Sequence, residues 1–447
     1  PVLSEAMLSS DARLGNPASI HRKGQIAKKE MAELRQTLCE YLGRPDGDEF
    51  IFLSGATEAI NQVIRGFVRE RREVGRHPVL IASSVEHSAV LDTCGDAGAE
   101  CELIEVNQQG QLNGEKLFEV IQEKLKNESC DILLCLQAAN NETGVVFDIQ
   151  ETLVKIHSAF GPKMIAGMAK PKGTTRVRTT QRVFMLLDAA QALGKMPEAP
   201  LRSMMHFSDY ASFSAHKIGS PAGFGILWTR GKVPFRPFIT GGVQERKRRA
   251  GTVNSFGVFA FHQALQLWIQ KGESFRANMF ELRQKLFEEI KDIPGIHFHG
   301  ISSQGKLPEL CNTLNFHVEG CFEESLLLAL DIGGFCVSSG SACNSGSLRP
   351  SFVLKAMGYG DAVALSSIRV TLGAETTERE VKDFAQCLKK TTEQIRSARA
   401  YTKNLFSSDA ISSDGDSDSD NSSDEVDGEE DHMKIFGDRD NIATENI

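Results

Sequence analysis

The chain has 447 residues, of which 41% are hydrophobic and 24% charged, with a formal net charge of −9. That is enough apolar material for the cores of two sizeable domains. No apolar run approaches the roughly 18 residues of a membrane-spanning helix, and no secretory signal or arginine-rich presequence is visible. Ten cysteines include no C-x-x-C pair, which argues against a zinc site or a disulfide framework and for an intracellular, reducing compartment, mitochondrial or cytoplasmic.

In chain order, Phe50–Leu53 reads as a strand and Glu58–Ile64 as a helix, joined by Ser54-Gly55-Ala56-Thr57. Such a turn aims backbone amides, with that of Ala56 among them, and the Thr57 hydroxyl at an anion. Strand-like runs recur at Val79–Ala82, Glu102–Val106, Ile132–Cys135 and Phe184–Leu187, with amphipathic segments between them. This alternation predicts a mostly parallel sheet covered by helices. Gly161 to Arg182 interrupts the pattern with six Lys or Arg and no acid, and reads as a solvated basic loop. Contact with the acidic tail or with a polyanion is the alternative. Further on, Phe275–Ile290, Leu310–Val318, Ser325–Leu330 and Glu378–Ser397 suggest a smaller α/β domain. The expected division is residues 13–270, 271–400 and a tail, 401–447.

Two charged residues end strand-like runs and call for chemistry. Asp188 follows Leu186-Leu187, where a buried carboxylate is costly unless a cation meets it. Lys217 closes Ser212-Phe213-Ser214-Ala215-His216-Lys217, which follows a short strand end at Asp209-Tyr210-Ala211 and is crowded by small residues that desolvate an amine. Desolvation makes lysine a nucleophile towards carbonyl carbon. Pyridoxal phosphate joins the pair, because its aldehyde takes the lysine and its protonated pyridine nitrogen takes the carboxylate. Gln191 is then placed for the ring's phenolic oxygen. Taken singly, Lys217 reads equally well as a surface lysine and Asp188 as a helix cap. A further candidate is Cys343, in the small, polar stretch Ser338–Ser347. Most cysteines are buried as small hydrophobes, and Cys39, Cys94, Cys130, Cys135 and Cys387 suit that role. A cysteine on an exposed loop is a reactive thiol.

With these residues in hand, the chain resembles the cysteine desulfurases (IscS/NifS type) of the class V aminotransferase family from about Gly15 to about Ala400. The resemblance is carried by Gly15–His21, Ser54–Glu58, Glu86–Cys94, Asn140–Val146, Asp188–Gln191 and Ser214–Lys217, then by Gly241–Arg246, Arg249–Thr252, the Cys343 loop and Ser367–Val370. It implies the fold type I of pyridoxal-phosphate-dependent transferases, with a large domain and a smaller C-terminal one that carries the cysteine loop. It also implies roles: Lys217 bonds the cofactor and moves the Cα proton, His87 stacks on the ring, and Asn141 lies beside ring and substrate. Thr57, Ser214 and His216 hold the phosphate, joined by Thr252 from the partner subunit of a homodimer. Arg369 clamps the substrate carboxylate, and Cys343 takes the sulfur of L-cysteine as a persulfide and leaves alanine.

Three departures stand out, of which one is Arg249-Ala250-Gly251-Thr252 in place of the usual Arg-Ser-Gly-Thr. Pro1–Met7 begins just after the family's usual Asn-Ala-Thr-Thr-Pro segment, so a longer parent sequence is expected. The usual Gly-Gly-Gly reads Gly241-Gly242-Val243, where a valine cannot take every glycine conformation. The implied activity supplies sulfur to acceptor or iron–sulfur scaffold proteins, or to thio-modification. A selenocysteine lyase and a non-catalytic desulfurase-like scaffold are the alternatives. From Tyr401 on there are 14 acidic and 3 basic residues, a block of −11 on a body near +2. This composition predicts a disordered, solubilising tail, or a docking tail with phosphorylation at Ser413, Ser417 or Ser422. One basic loop on a nearly neutral body is weak support for a nucleic-acid partner, and none is expected.

Overall fold

A computed structural model describes residues 15–44, 48–161, 181–231, 233–300, 308–339 and 350–408. The Cys343 loop, nearly all of the basic segment and most of the acidic tail lie outside them.

The central strands are apolar along their whole length because both of their faces are covered. Leu80, Ala82, Leu133, Cys135, Phe184 and Leu186 enter one core cluster, and their neighbours Val79, Ile81, Ile132, Leu134, Met185 and Leu187 enter another. These residues belong to β2 (His77–Ser83), β4 (Cys130–Gln137) and β5 (Val183–Asp188). With β1 (Glu49–Leu53), β3 (Glu100–Ile104), β6 (Tyr210–Ser214) and β7 (Gly225–Thr229) they form a seven-stranded sheet in the order β1-β7-β6-β5-β4-β2-β3. Strands β2 to β6 are mutually parallel, and β7 runs antiparallel to both β1 and β6. The sheet is mostly parallel, as the alternation predicts.

Helices α1 (Arg22–Leu42), α2 (Ala56–Glu73), α3 (Ser88–Asp96), α4 (Gly114–Lys124), α5 (Gln150–Phe160) and α6 (Glu198–Phe207) accompany the strands. Buried Ile60, Val63, Ile64 and Phe67 of α2 pack on one face of the sheet, and Leu34, Leu38 and Leu42 of α1 belong to the cluster on the other. The spacing of each set is that of one helical face.

A second sheet, β8 (Ile296–His299), β9 (Thr313–Val318), β10 (Ser338–Ser339) and β11 (Ser367–Thr371), is antiparallel in the order β10-β11-β9-β8. Its core is a separate cluster with Leu282, Leu286 and Ile290 from α7 (Ser255–Ile290). Leu326 and Leu330 from α8 (Glu323–Ile332) join it, as do Val381, Phe384 and Leu388 from α9 (Glu378–Ser408). The position between residues 270 and 271 falls inside the continuous helix α7. Residues up to Ser397 make one unit, and the last residues of α9 belong to a second.

Candidate active site

The carboxyl ends of the parallel strands gather the predicted residues, as the topology of an open α/β sheet dictates. Strand β5 ends at Asp188, which pairs with Ser212 of β6. Two residues beyond Ser212, β6 gives way to the 3-10 turn Ala215–Ile218, which carries a half-buried Lys217. The sequence reads only a short strand end before Lys217. The structure extends β6 through Ser214, because Ser212 and Ser214 are buried there despite their polarity.

Asp188 is 7% exposed, and its Oδ1 accepts from Ser212 Oγ at 2.8 Å and from the Ala190 amide at 3.1 Å. Among the described residues its Oδ2 has no hydrogen-bond partner. A nearly buried carboxylate held by one oxygen and open at the other suits a protonated ring nitrogen. Two strands over, just past the end of β2, Glu86 sits beside His87. Its Oε1 accepts from Ser83 Oγ at 2.6 Å and from the Gln137 amide at 2.9 Å, while Oε2 is buried without a partner among the described residues. Burial, with the Asp188 charge adding to it, pushes Glu86 up to about 8. His87 caps α3, with Nδ1 accepting from the Ala89 amide at 3.0 Å.

The phosphate corner is built by backbone. Leu53, Gly225 and Ser214 lie in one row across β1, β7 and β6. A Cβ on Gly225 would stand 2.4 Å from Gly55 Cα, so only glycine lets the strand approach the helix start. Helix α2 begins at Ala56 behind Gly55, which provides no side-chain cap, and Thr57 is exposed in its first turn. Open amides at the start of an 18-residue helix favour an anion. Ser214 Oγ is 3.0 Å from His216 Nδ1. Burial and the nearby charges of Lys217 and Lys195 hold His216 below its usual range, so its ring is a neutral hydrogen-bonding group.

The segment that carries Thr252 is fastened to this corner, since Arg249 Nε donates to Glu58 Oε1 at 2.9 Å and the Ser54 amide donates to Glu58 Oε2 at 2.8 Å. Thr252 itself is exposed. Val243, where the family has glycine, adopts φ −89° and ψ 8°, which valine tolerates. Positive φ falls instead on Glu245, Arg246 and Lys247, at 45°, 55° and 64°. Glu245 holds this left-handed turn by accepting from Arg35 at 2.9 Å through both oxygens and from the Phe52 amide at 2.9 Å.

The second sheet supplies the substrate side. Arg369 on β11 donates Nη1 to the Asn141 carbonyl at 2.9 Å, and its Nε is buried without a partner among the described residues. A guanidinium with an unused inner donor fits a carboxylate. Asn315 faces Arg369 across β9 and β11, and its Nδ2 donates to the Glu142 carbonyl at 3.2 Å, next to Asn141. Behind it, His299 Nδ1 lies 2.6 Å from Asn315 Oδ1, and His299 Nε2 lies 3.0 Å from His317 Nδ1.

Sequence reasoning missed three residues. Lys195 donates Nζ to Gln191 Oε1 at 2.5 Å. Burial and the charge of Lys217 lower Lys195 to about 7, with Arg369 acting in the same sense. Glu86 and Trp268 are the others. The spacing Gln191 to Lys195, four residues in a turn, was the one available signal.

The family model for class-V aminotransferases matches residues 1–169 and 165–384. The chain belongs to the class-V aminotransferase family. Within it, the chain is 35% identical over 403 residues to a cysteine desulfurase IscS of Klebsiella pneumoniae, a match covering 89% of this chain and 90% of that one. It is 32% identical over 402 residues to a cysteine desulfurase IscS of Methanosarcina thermophila, with 89% and 90% covered. Among solved structures, a NifS-like protein from Rickettsia africae superposes with a TM-score of 0.73 at 25% identity, over 88% of this chain and 96% of that one. The fold is therefore the fold type I arrangement of these class-V enzymes, with the mostly parallel sheet that the sequence predicts.

Proposed function

We propose that the protein is a pyridoxal-phosphate-dependent cysteine desulfurase that converts L-cysteine to L-alanine and passes the sulfur on through its own cysteine. The carrying observation is Asp188, nearly buried, held through Oδ1 alone and open at Oδ2, on the strand beside the one that leads to Lys217. When bound, the cofactor supplies an electron sink for the charge left at the substrate Cα.

The chain's residues divide the remaining work. Asp188 would hold the ring nitrogen, Gln191 the phenolic oxygen and His87 the ring face. The amides at Ala56 and Thr57, with Ser214 and His216, would hold the phosphate, and in a homodimer Thr252 of the partner subunit would complete that cradle. Lys217 would hold the aldehyde carbon and move the proton at Cα. Arg369 and Asn141 would orient the substrate carboxylate. The Cys343 thiolate would take the substrate sulfur, the C–S electron pair would return to carbon, and a proton there would complete alanine. The persulfide would then serve an acceptor, an iron–sulfur scaffold protein or a thio-modification enzyme. The same reading would divide the chain into a large domain over 13–270, a small one over 271–400 and an acidic tail from 401.

The test is purified protein loaded with pyridoxal phosphate and given L-cysteine or selenocysteine. With excess dithiothreitol to reduce the persulfide, alanine and sulfide should form in equal amounts, with cysteine turned over through Cys343. Lys217→Ala should lose both the cofactor's visible band and turnover. Cys343→Ser should keep the band and release no sulfide. Turnover in Lys217→Ala sinks the reading, and cysteine turnover in Cys343→Ser removes Cys343 from it.

A further inference from the structure

Lys195 has no part in the scheme above, yet it is the cation nearest to a residue that does. It lies in the turn that follows Asp188, half-buried, with Nζ 2.5 Å from Gln191 Oε1. That turn is fixed on several sides. The Cys311 thiol donates to the Lys195 carbonyl at 3.5 Å, Arg276 Nη1 of α7 donates to the Gly194 carbonyl at 3.0 Å, and the Trp268 ring lies against Gly194. These contacts fix the backbone from which the Lys195 side chain reaches Gln191.

We propose that Lys195 is a positioning residue for the cofactor ring, whose ammonium fixes the Gln191 carboxamide so that Nε2 is the group left to meet the ring's phenolic oxygen. The inference rests on the cofactor reading given above. Its chemistry is a matter of donors and acceptors. An ammonium offers donors only, so the amide must turn its oxygen towards Lys195. Among the described residues Gln191 Nε2 has no partner, so that donor is available. A neutral amine can accept as well as donate, and it then no longer dictates which end of the amide faces outward. The orientation of Gln191 is thereby tied to the charge on Lys195.

That charge is poised. Lys217 from the 3-10 turn and Arg369 from β11 press it towards the neutral form, as does burial, while the Cys311 thiol opposes them. The guanidinium of Arg276 is the other cation packed on this turn. Burial first, then Lys217 and Arg369, lower Lys195 to about 7 against the opposing Cys311. The amide would therefore be held one way on the acid side of neutrality and released on the alkaline side.

The experiment is a spectrophotometric pH titration of the cofactor-loaded protein, with thermal melting as a control. Lys195→Met and Gln191→Ala should each raise the midpoint of the visible band by about one pH unit, the scale of one hydrogen bond to an anionic oxygen. Lys195→Arg should stay at the wild-type midpoint. The double variant should shift no further than either single one, because Lys195 acts through Gln191. Additive shifts, or a wild-type midpoint in a Lys195→Met protein that melts normally, overturn the proposal. If Lys195→Met does not fold, Lys195→Arg decides: a shift as large as that of Gln191→Ala overturns it. A wild-type protein with no visible band would instead overturn the cofactor reading, a separate outcome.

Discussion

Trp268 donates its indole Nε1 to the carbonyl of Ile218 at 3.0 Å, while its ring packs against Gly194, where a Cβ would stand 2.7 Å from the ring. Ile218 follows Lys217 and Gly194 precedes Lys195. One side chain of α7 thus sets the spacing between the two lysine turns of the site.

Gly194 has φ 78°, so alanine there meets both backbone strain and the indole. Gly194→Ala should cost roughly 1–3 kcal/mol of stability, and a change that moves the indole should also lower cofactor occupancy. Trp268→Phe should leave the Ile218 carbonyl without its donor, at a cost of about 1–3 kcal/mol. Thermal melting and cofactor content of the purified variants check both, and unchanged values would remove Trp268 from its bracing role.

Arg369→Lys should keep the fold and raise KM for L-cysteine by about ten- to a hundredfold, the worth of one charge-assisted hydrogen bond. A lysine is a point charge and cannot serve the Asn141 carbonyl and a carboxylate with one planar fork. Steady-state kinetics decide this, and a KM within twofold of wild type contradicts the clamp.

Glu86 has its carboxyl raised from the usual range to about 8. The folded state therefore holds a proton that the unfolded chain releases between about pH 4.5 and 8, and stability falls as pH rises through that window. Glu86→Gln keeps the Oε1 acceptor without the ionisable group. It should melt above wild type at pH 8, by on the order of 1.4 kcal/mol for each unit of the raised range, and as wild type at pH 4. Parallel melting curves of the two proteins across pH would contradict a neutral Glu86.

The histidines behind Asn315 act in the opposite direction. Asn315 Nδ2 is committed to the Glu142 carbonyl, so its Oδ1 faces His299 and accepts from Nδ1, which leaves His299 Nε2 to accept from His317. Protonation of His299 would set two donors face to face. Burial lowers His299 to about 4, with His317 and His297 adding to it and the Asn315 bond opposing. Stability should be full above about pH 6.5 and be lost as pH falls towards 4, by at most about 3 kcal/mol. Because Asn315 faces Arg369, KM for cysteine should rise over the same acid range. His299→Gln should flatten both profiles, and an unaltered acid limb in that variant contradicts this assignment.

The strands at 50–53, 79–82, 132–135 and 184–187 were legible because a strand buried on both faces is a continuous apolar run. Strand β6 was read short, since the buried hydroxyls of Ser212 and Ser214 look like loop chemistry until Asp188 and His216 are seen to engage them. Strand β3 was placed two residues late: it ends at Ile104, and Val106 makes an isolated bridge to Leu112. Asp188 and Lys217 could be picked out because each is a charge that ends a strand-like run, whereas Arg369 came only with the resemblance to the desulfurases. Glu86 and Lys195 could not, because their significance lies in which neighbours the fold withholds or supplies. For Glu86 it is a missing partner at Oε2, and for Lys195 an amide four residues back.

The left-handed run Glu245–Lys247 contains no glycine, and each such residue costs roughly 1–2 kcal/mol. Its compensation comes from Arg35 on α1 and the Phe52 amide on β1. Those contacts lie some two hundred positions earlier in the chain, so the side-chain hold on the run depends on α1 and β1 being in place. The stability of the run is therefore coupled to distant elements: loosening α1 or β1 would also loosen the segment whose Arg249 is fastened to Glu58 and which carries Thr252. A substitution at Arg35, far from the site in sequence, would thus leave the phosphate corner with a looser rim.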